Sequence, residues 1–201
     1  MTKIKICGLK SDRDIAAVNE LLPEFVGFVF WNKSKRYVTA DEASFLKQSL
    51  DKRIKAVGVF VDEEIETVMK LLDRGIINVV QLHGNEGEAY IHRLKAETGC
   101  EIIRAFKIRN FDDVQKANTS CADMVLLDSG MGTGESFDWK YINAIERQYI
   151  LAGGLSPENV GEAVKNLKPY GVDASSLLET DGVKDAAKMQ KFVEEVRNIK
   201  Y

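Results

Sequence analysis

Eight short apolar runs recur along the chain at nearly even spacing: IKIC (4–7), FVGFVF (25–30), IKAVGVF (54–60), INVVQL (77–82), EIIRAF (101–106), MVLLD (124–128), YILAG (149–153) and GVDAS (171–175). Each gives way to a polar or glycine-containing turn and then to an amphipathic segment, so the hydrophobic period switches between strand and helix eight times. Strands joined by helices of this length pair in parallel, because a crossover helix returns the chain to the same end of the sheet. Two closures satisfy that rule, an open doubly wound sheet and a closed (β/α)8 barrel. The count of eight favours the barrel, and the first turn, Cys7-Gly8-Leu9-Lys10, lacks the G-x-G-x-x-G that commonly opens a dinucleotide-binding sheet. The expected fold class is α/β, a compact TIM barrel of eight parallel strands, with residues 1–201 forming one domain.

The helices have readable starts. Ser11 with Asp14 and Thr39 with Glu42 form capping-box patterns, the first leading into Ile15, Val18 and Leu22, the second into Phe45 and Leu46. Asp62 is expected to cap a helix burying Ile65, Val68, Met69 and Leu72. Ser156-Pro157 reads as a cap with proline in the first helical position, ahead of Val160, Ala163, Val164 and Leu167. The last helix, about 184–197, is expected to bury Ala186, Met189, Val193 and Val196.

A formal charge of −3 and a pI near 5.6 give no general attraction to a polyanion, so neither nucleic acid nor a membrane surface is an expected partner. The basic cluster Lys33-Ser34-Lys35-Arg36 suits a small anionic ligand better than a duplex. Three cysteines at positions 7, 100 and 121, with no apolar leader before them, fit a reducing compartment, and the cytoplasm is the expected address. No apolar run approaches the length of a membrane span. A monomer and a homodimer remain equally open.

In a barrel the βα loops converge at the carboxyl ends of the strands, and chemistry gathers there. Those ends carry Cys7, the loop with Arg36, His83, Asp128, Gly153-Gly154 and Ser175-Ser176. A thiol, a guanidinium, an imidazole, a carboxylate and two anion-binding loops together suit a small phosphorylated substrate. Two glycines after the seventh run, with a helix beyond them, expose N–H groups to a phosphate, and Ser175 and Ser176 add hydroxyls to the same region. Arg36 offers a planar fork for a carboxylate. Gly8 leaves space above Cys7, and Asp128 stands at a pocket floor before the flexible stretch SGMGTGES. Asp173, inside the eighth run, is read as a barrel-interior group that needs partners. Cys100 and Cys121 are read as structural.

The motifs KICG (5–8), GFVF with KSKRYV (27–38), VGVFV (57–61), VVQLHG (79–84), LLD (126–128), GTGESFDW (132–139), LAGGLSPENV (151–160) and DASS (173–176) resemble, in order and spacing, those of phosphoribosylanthranilate isomerase. The resemblance spans essentially the whole chain. It implies an Amadori rearrangement of N-(5-phosphoribosyl)anthranilate to 1-(2-carboxyphenylamino)-1-deoxyribulose 5-phosphate in tryptophan biosynthesis, without metal or organic cofactor. It also implies Cys7 as general base, Asp128 as general acid, Arg36 near the anthranilate carboxylate and His83 as the histidine of the QLHG motif. Two positions depart from the family pattern: Leu177 and Met131 stand where glycines are common. The rival readings are another phosphosugar isomerase or epimerase, and a non-catalytic barrel that binds a phosphometabolite. A metal-dependent epimerase needs clustered histidines, and the chain has only His83 and His92. A pure binder gains nothing from an acid paired with a base.

Overall fold

β1 (Lys3–Cys7) hydrogen-bonds to β2 (Phe25–Val29) on one side and to β8 (Gly171–Ala174) on the other, and that second pairing closes the sheet into a barrel. The computed structural model describes residues 1–128 and 141–199. Between these strands run β3 (Lys55–Phe60), β4 (Val79–Leu82), β5 (Glu101–Lys107), β6 (Met124–Asp128) and β7 (Tyr149–Ala152), each parallel to its neighbours. The connecting helices are α1 (Asp12–Leu21), α2 (Ala40–Ser49), α3 (Ile65–Asp73), α4 (Glu88–Thr98), α5 (Phe111–Thr119) and α6 (Val160–Leu167), with α7 (Ala186–Arg197) after the last barrel strand. Ahead of β7 the described residues hold a single 3-10 turn, Ile142–Ala144. A small hairpin, β9 (Glu179–Thr180) with β10 (Val183–Lys184), follows a 3-10 turn at Ser176–Leu178.

The alternation of side chains along each strand sorts the core into two compartments. Ile4, Ile6, Val26 and Phe28 face outward and pack beneath the helices. Phe25, Val57, Val79, Ile103, Leu126 and Ile150 face inward and fill the lower barrel. Above them Cys7, Val29 and Val59 form the next inward group. The register puts Lys5 beside both Phe25 and Asp173, and Cys7 beside Gly27.

Both capping boxes form: the Ser11 hydroxyl accepts from the Asp14 N–H, and the Thr39 hydroxyl from the Glu42 N–H. Each cap of this kind contributes about 1 kcal/mol. Asp62 does not cap α3. It sits at φ 51, its carboxylate accepts from the backbone and side chain of Asn85, and Glu64 occupies the cap position without a side-chain bond. The inward stripe of α3 is Ile65, Val68 and Leu71, with Met69 and Leu72 only half-buried. Ser156 opens a turn rather than α6, which starts at Val160; its hydroxyl accepts from the Glu158 N–H. Ala186 is exposed, because the buried stripe of α7 begins one turn later with Met189 and continues through Phe192, Val193 and Val196. Leu46 is buried as its spacing predicts, while Phe45 is left exposed.

Candidate active site

Cys7, Arg36, His83, Asp128, Gly153, Gly154, Ser175 and Ser176 all line one cavity of about 240 Å³ at the carboxyl ends of the strands. The loop 129–136, including Met131, lies outside the described residues. Cys7 is buried at the end of β1. Its sulfur fits because β2 presents Gly27 alongside: a Cβ there would stand 2.5 Å from Cys7 Sγ. The space expected above Gly8 is taken by Arg36, whose Cδ would lie 2.3 Å from a Cβ at that glycine.

Arg36 is already engaged. Its Nε donates to Glu179 Oε1 at 2.6 Å and its Nη2 to Oε2 at 2.7 Å, so one edge of the guanidinium is filled by a carboxylate of the chain itself. Those hydrogen bonds to Glu179 raise the Arg36 pKa above its ordinary value, against its partial burial. Nη1, on the other edge, makes none of the hydrogen bonds to Glu179. Lys184 donates to the same Glu179 at 2.6 Å and to the Ser175 carbonyl at 3.0 Å. Burial pushes the Glu179 carboxyl up, but hydrogen bonds from Arg36 and Lys184 outweigh it and hold the group below the usual carboxylate range.

His83 keeps exposed surface at the cavity mouth, yet the walls around its ring desolvate it. That desolvation lowers the imidazole pKa and favours the neutral ring, although Asp128 opposes the shift. Gln81 Nε2 lies 3.1 Å from His83 Nδ1. With the amide donating there, the ring proton sits on Nε2. Asp128 closes β6, half-buried, close enough for its charge to act on His83.

The loop after β7 needs its two glycines, since Gly153 and Gly154 adopt φ of 88° and 69°, a region where other residues are strained. Asn159 fixes this loop by donating to the Gly154 carbonyl at 2.8 Å and accepting from the Ser156 N–H at 2.8 Å. The Ser175 hydroxyl is spent on the Cys7 carbonyl at 2.9 Å, which ties the β8 end to the β1 end. Ser176 is exposed at the start of its 3-10 turn, and Leu177 also lines the cavity, 44% exposed.

Three charged groups of this region are missed when only the strand ends are read. Lys5 lies between two isoleucines in a strand yet is fully buried, donating to Asp173 Oδ2 at 2.9 Å. Glu179 and Lys184 belong to the hairpin and bond to two residues of the cavity wall, Arg36 and Ser175. Their shared signal was a charge on an inward-facing or hairpin position, which alternation exposes only after the strand's faces are assigned. Outside the cavity, Glu88 and His92 of α4 and Cys121 of the turn before β6 bring three metal-ligating atoms within 4.8 Å of one another.

The family description N-(5'phosphoribosyl)anthranilate (PRA) isomerase matches residues 4–195. An N-(5'-phosphoribosyl)anthranilate isomerase of Thermoanaerobacter pseudethanolicus is 42% identical, with 100% of both chains covered. One of Clostridium kluyveri is 44% identical over the same full coverage. The crystal structure of phosphoribosyl anthranilate isomerase from Thermotoga maritima superposes with a TM-score of 0.87 at 33% identity, covering 99% of this chain and 100% of that one. A further crystal structure of such an isomerase, in complex with reduced 1-(o-carboxyphenylamino)-1-deoxyribulose 5-phosphate, gives a TM-score of 0.86 at 32% identity over 99% and 100% of the two chains. With an eight-stranded barrel, a thiol and a carboxylate on one cavity, and matches along its full length, the chain belongs to the N-(5'-phosphoribosyl)anthranilate isomerase family.

Proposed function

We propose that Asp128 and Cys7 divide the proton transfers of the Amadori rearrangement that this isomerase of tryptophan biosynthesis catalyses, N-(5'-phosphoribosyl)anthranilate to 1-(2-carboxyphenylamino)-1-deoxyribulose 5-phosphate. Asp128 gives a proton to the furanose ring oxygen as the C1–O bond breaks and the anilino nitrogen's electron pair forms the C=N bond. The resulting iminium acidifies the C2 hydrogen, which the Cys7 thiolate removes as a base without forming a covalent bond to carbon. The enolamine then takes a proton at C1 and releases the proton of its C2 hydroxyl, which leaves the ketone. The observation that carries this assignment is that the thiol and the carboxylate, 121 residues apart, line a single cavity.

Around that pair, the free edge of Arg36 receives the anthranilate carboxylate and the neutral His83 donates from Nε2 to the substrate. The N–H groups of Gly153, Gly154, Ser175 and Ser176 hold the phosphate. The hydroxyl of Ser175 is not part of that set, because it is bonded to Cys7. Residues 1–201 act as one catalytic domain. Three free cysteines support a cytoplasmic address, and no helix among the described residues is long and apolar enough to cross a membrane. The direct test is the loss of anthranilate-type substrate fluorescence with purified protein. Turnover is the expected result, and its absence on verified intact substrate would refute the reading.

Gly27→Ala tests the fit of the sulfur. A methyl group 2.5 Å from Sγ forces the thiol aside, and kcat is expected to fall by about 10²-fold, the effect of a misplacement near 1 Å, with KM changed only a few-fold. An unchanged kcat would mean that the sulfur's position is not critical.

A further inference from the structure

A buried ion pair stands in the barrel where an apolar layer would serve the fold equally well. Lys5 Nζ donates to Asp173 Oδ2 at 2.9 Å, and both side chains are withdrawn from solvent. The pair exists because barrel closure puts Lys5 opposite Asp173 in the β1–β8 register. Exchanging such a pair for apolar residues of similar volume is often neutral or stabilising, so stability alone does not account for it. Asp173 Oδ1 is buried and accepts no hydrogen bond, which leaves Lys5 as the carboxylate's hydrogen-bond partner among the described residues.

What lies next to the pair is Cys7. Lys5 and Cys7 are two apart in β1, on the same inward face, so the ammonium that Asp173 holds lies near enough for its charge to act on the thiol. The charged groups acting on Cys7 are Lys5 from β1, Asp173 from β8, Lys184 from β10 and Arg36 from the loop after β2. Those acting on Lys5 are Asp173 and Cys7, and His83 beyond β4 is also within its field. Arg36 and Lys184 both spend hydrogen bonds on Glu179. Lys5, two residues away on the same inward face, is therefore the cation that β1 itself supplies to the sulfur.

We infer that Lys5 is a positioning residue for the isomerisation: anchored by Asp173, its ammonium is held against the Cys7 sulfur and stabilises the anionic form that takes the proton from C2. This rests on the assignment of Cys7 as base. Burial by itself pushes the Cys7 thiol up, and Lys5 is the first of the groups that pull it back. Burial also works against the charge on Lys5, but Asp173 and Cys7 outweigh it and keep the amine protonated.

The test reads the thiol directly. In a C100S/C121S background, the rate of Cys7 alkylation by iodoacetamide is followed against pH, since only the thiolate reacts. Lys5→Met is expected to move the midpoint upward by about one pH unit or more, the effect of losing an adjacent opposite charge. Asp173→Asn is expected to move it downward, because the thiolate becomes the ammonium's only anionic partner. Lys5→Arg, which retains the cation, should recover part of the Met variant's shift. The rising limb of kcat against pH should follow the alkylation midpoint, while KM changes little.

If Lys5→Met does not fold, the double variant Lys5→Met with Asp173→Asn leaves no unpaired charge, and its midpoint should lie above that of Asp173→Asn alone. Coincident midpoints for those two, or shifts of the same sign in the two single variants, would overturn the inference. A Cys7→Ser protein that turned over normally would instead remove the base assignment, while the alkylation profiles would still report on the Lys5–Cys7 contact. The two failures are thus distinguishable.

Discussion

Cys7→Ala is expected to lower kcat by about 10²–10⁴-fold, the range for loss of a general base, while substrate continues to bind. Removing one sulfur atom beside Gly27 leaves the neighbouring backbone in place, and the residues assigned to the phosphate and the carboxylate are untouched. Cys7→Ser should lose activity to a similar degree, because a hydroxyl is a far weaker acid than a thiol and supplies no anion to accept the C2 proton. Single-turnover kinetics with substrate in excess of KM measures the effect, and turnover within a few-fold of the parent would exclude Cys7 as the base. The pH dependence has a definite sign. Burial holds the thiol above its ordinary range, so the reactive anion becomes more abundant as pH rises, and kcat/KM for the parent should climb through the alkaline side of neutrality.

Asp128→Asn should depress kcat by about 10²–10³-fold, within the span for general acid catalysis. Asparagine preserves the shape of the side chain at the end of β6 and keeps a hydrogen-bond donor, but it has no acidic proton to deliver as the C1–O bond breaks. KM is expected to stay within a few-fold, because binding is assigned to Arg36, His83 and the loops after β7 and β8. Steady-state kcat and KM on the intact substrate check this, and a rate close to that of the parent would remove Asp128 from the acid role. An intact cavity is verifiable in the same variant, since His83 loses the largest of the three charges that support its protonation, those of Asp128, Asp173 and Glu86. Its imidazole should titrate lower still, a shift that NMR follows without reference to turnover.

Much of the architecture is legible because period and punctuation act locally. Strand β6 occupies 124–128 as its apolar run does, and Ser11 and Thr39 cap the helices that follow them. The failures share a cause. Asp62 has the residue type of a helix cap, but the loop after β4 presents Asn85 to its carboxylate, and a contact 23 residues away outcompetes a local bond. Ser156-Pro157 likewise begins a turn that Asn159 shapes before α6 can start.

The residues of the candidate site divide along the same line. Residues at strand ends are readable, because the barrel gathers all such ends on one face, and every position picked on that ground lines the cavity. Their partners are not. Glu179 reaches Arg36 across 143 residues, and Asp173 reaches Lys5 across 168.

The sequence alone determined that strands and helices alternate, where the strands end, and that Lys5 and Cys7 share a face of β1, since side-chain direction follows from a period of two. Only the tertiary structure decided that this face looks into the barrel, that β8 brings a carboxylate to it, and that Arg36 pairs with Glu179. Those outcomes depend on register between strands remote in sequence and on the removal of charges from water, which no local stretch of residues encodes.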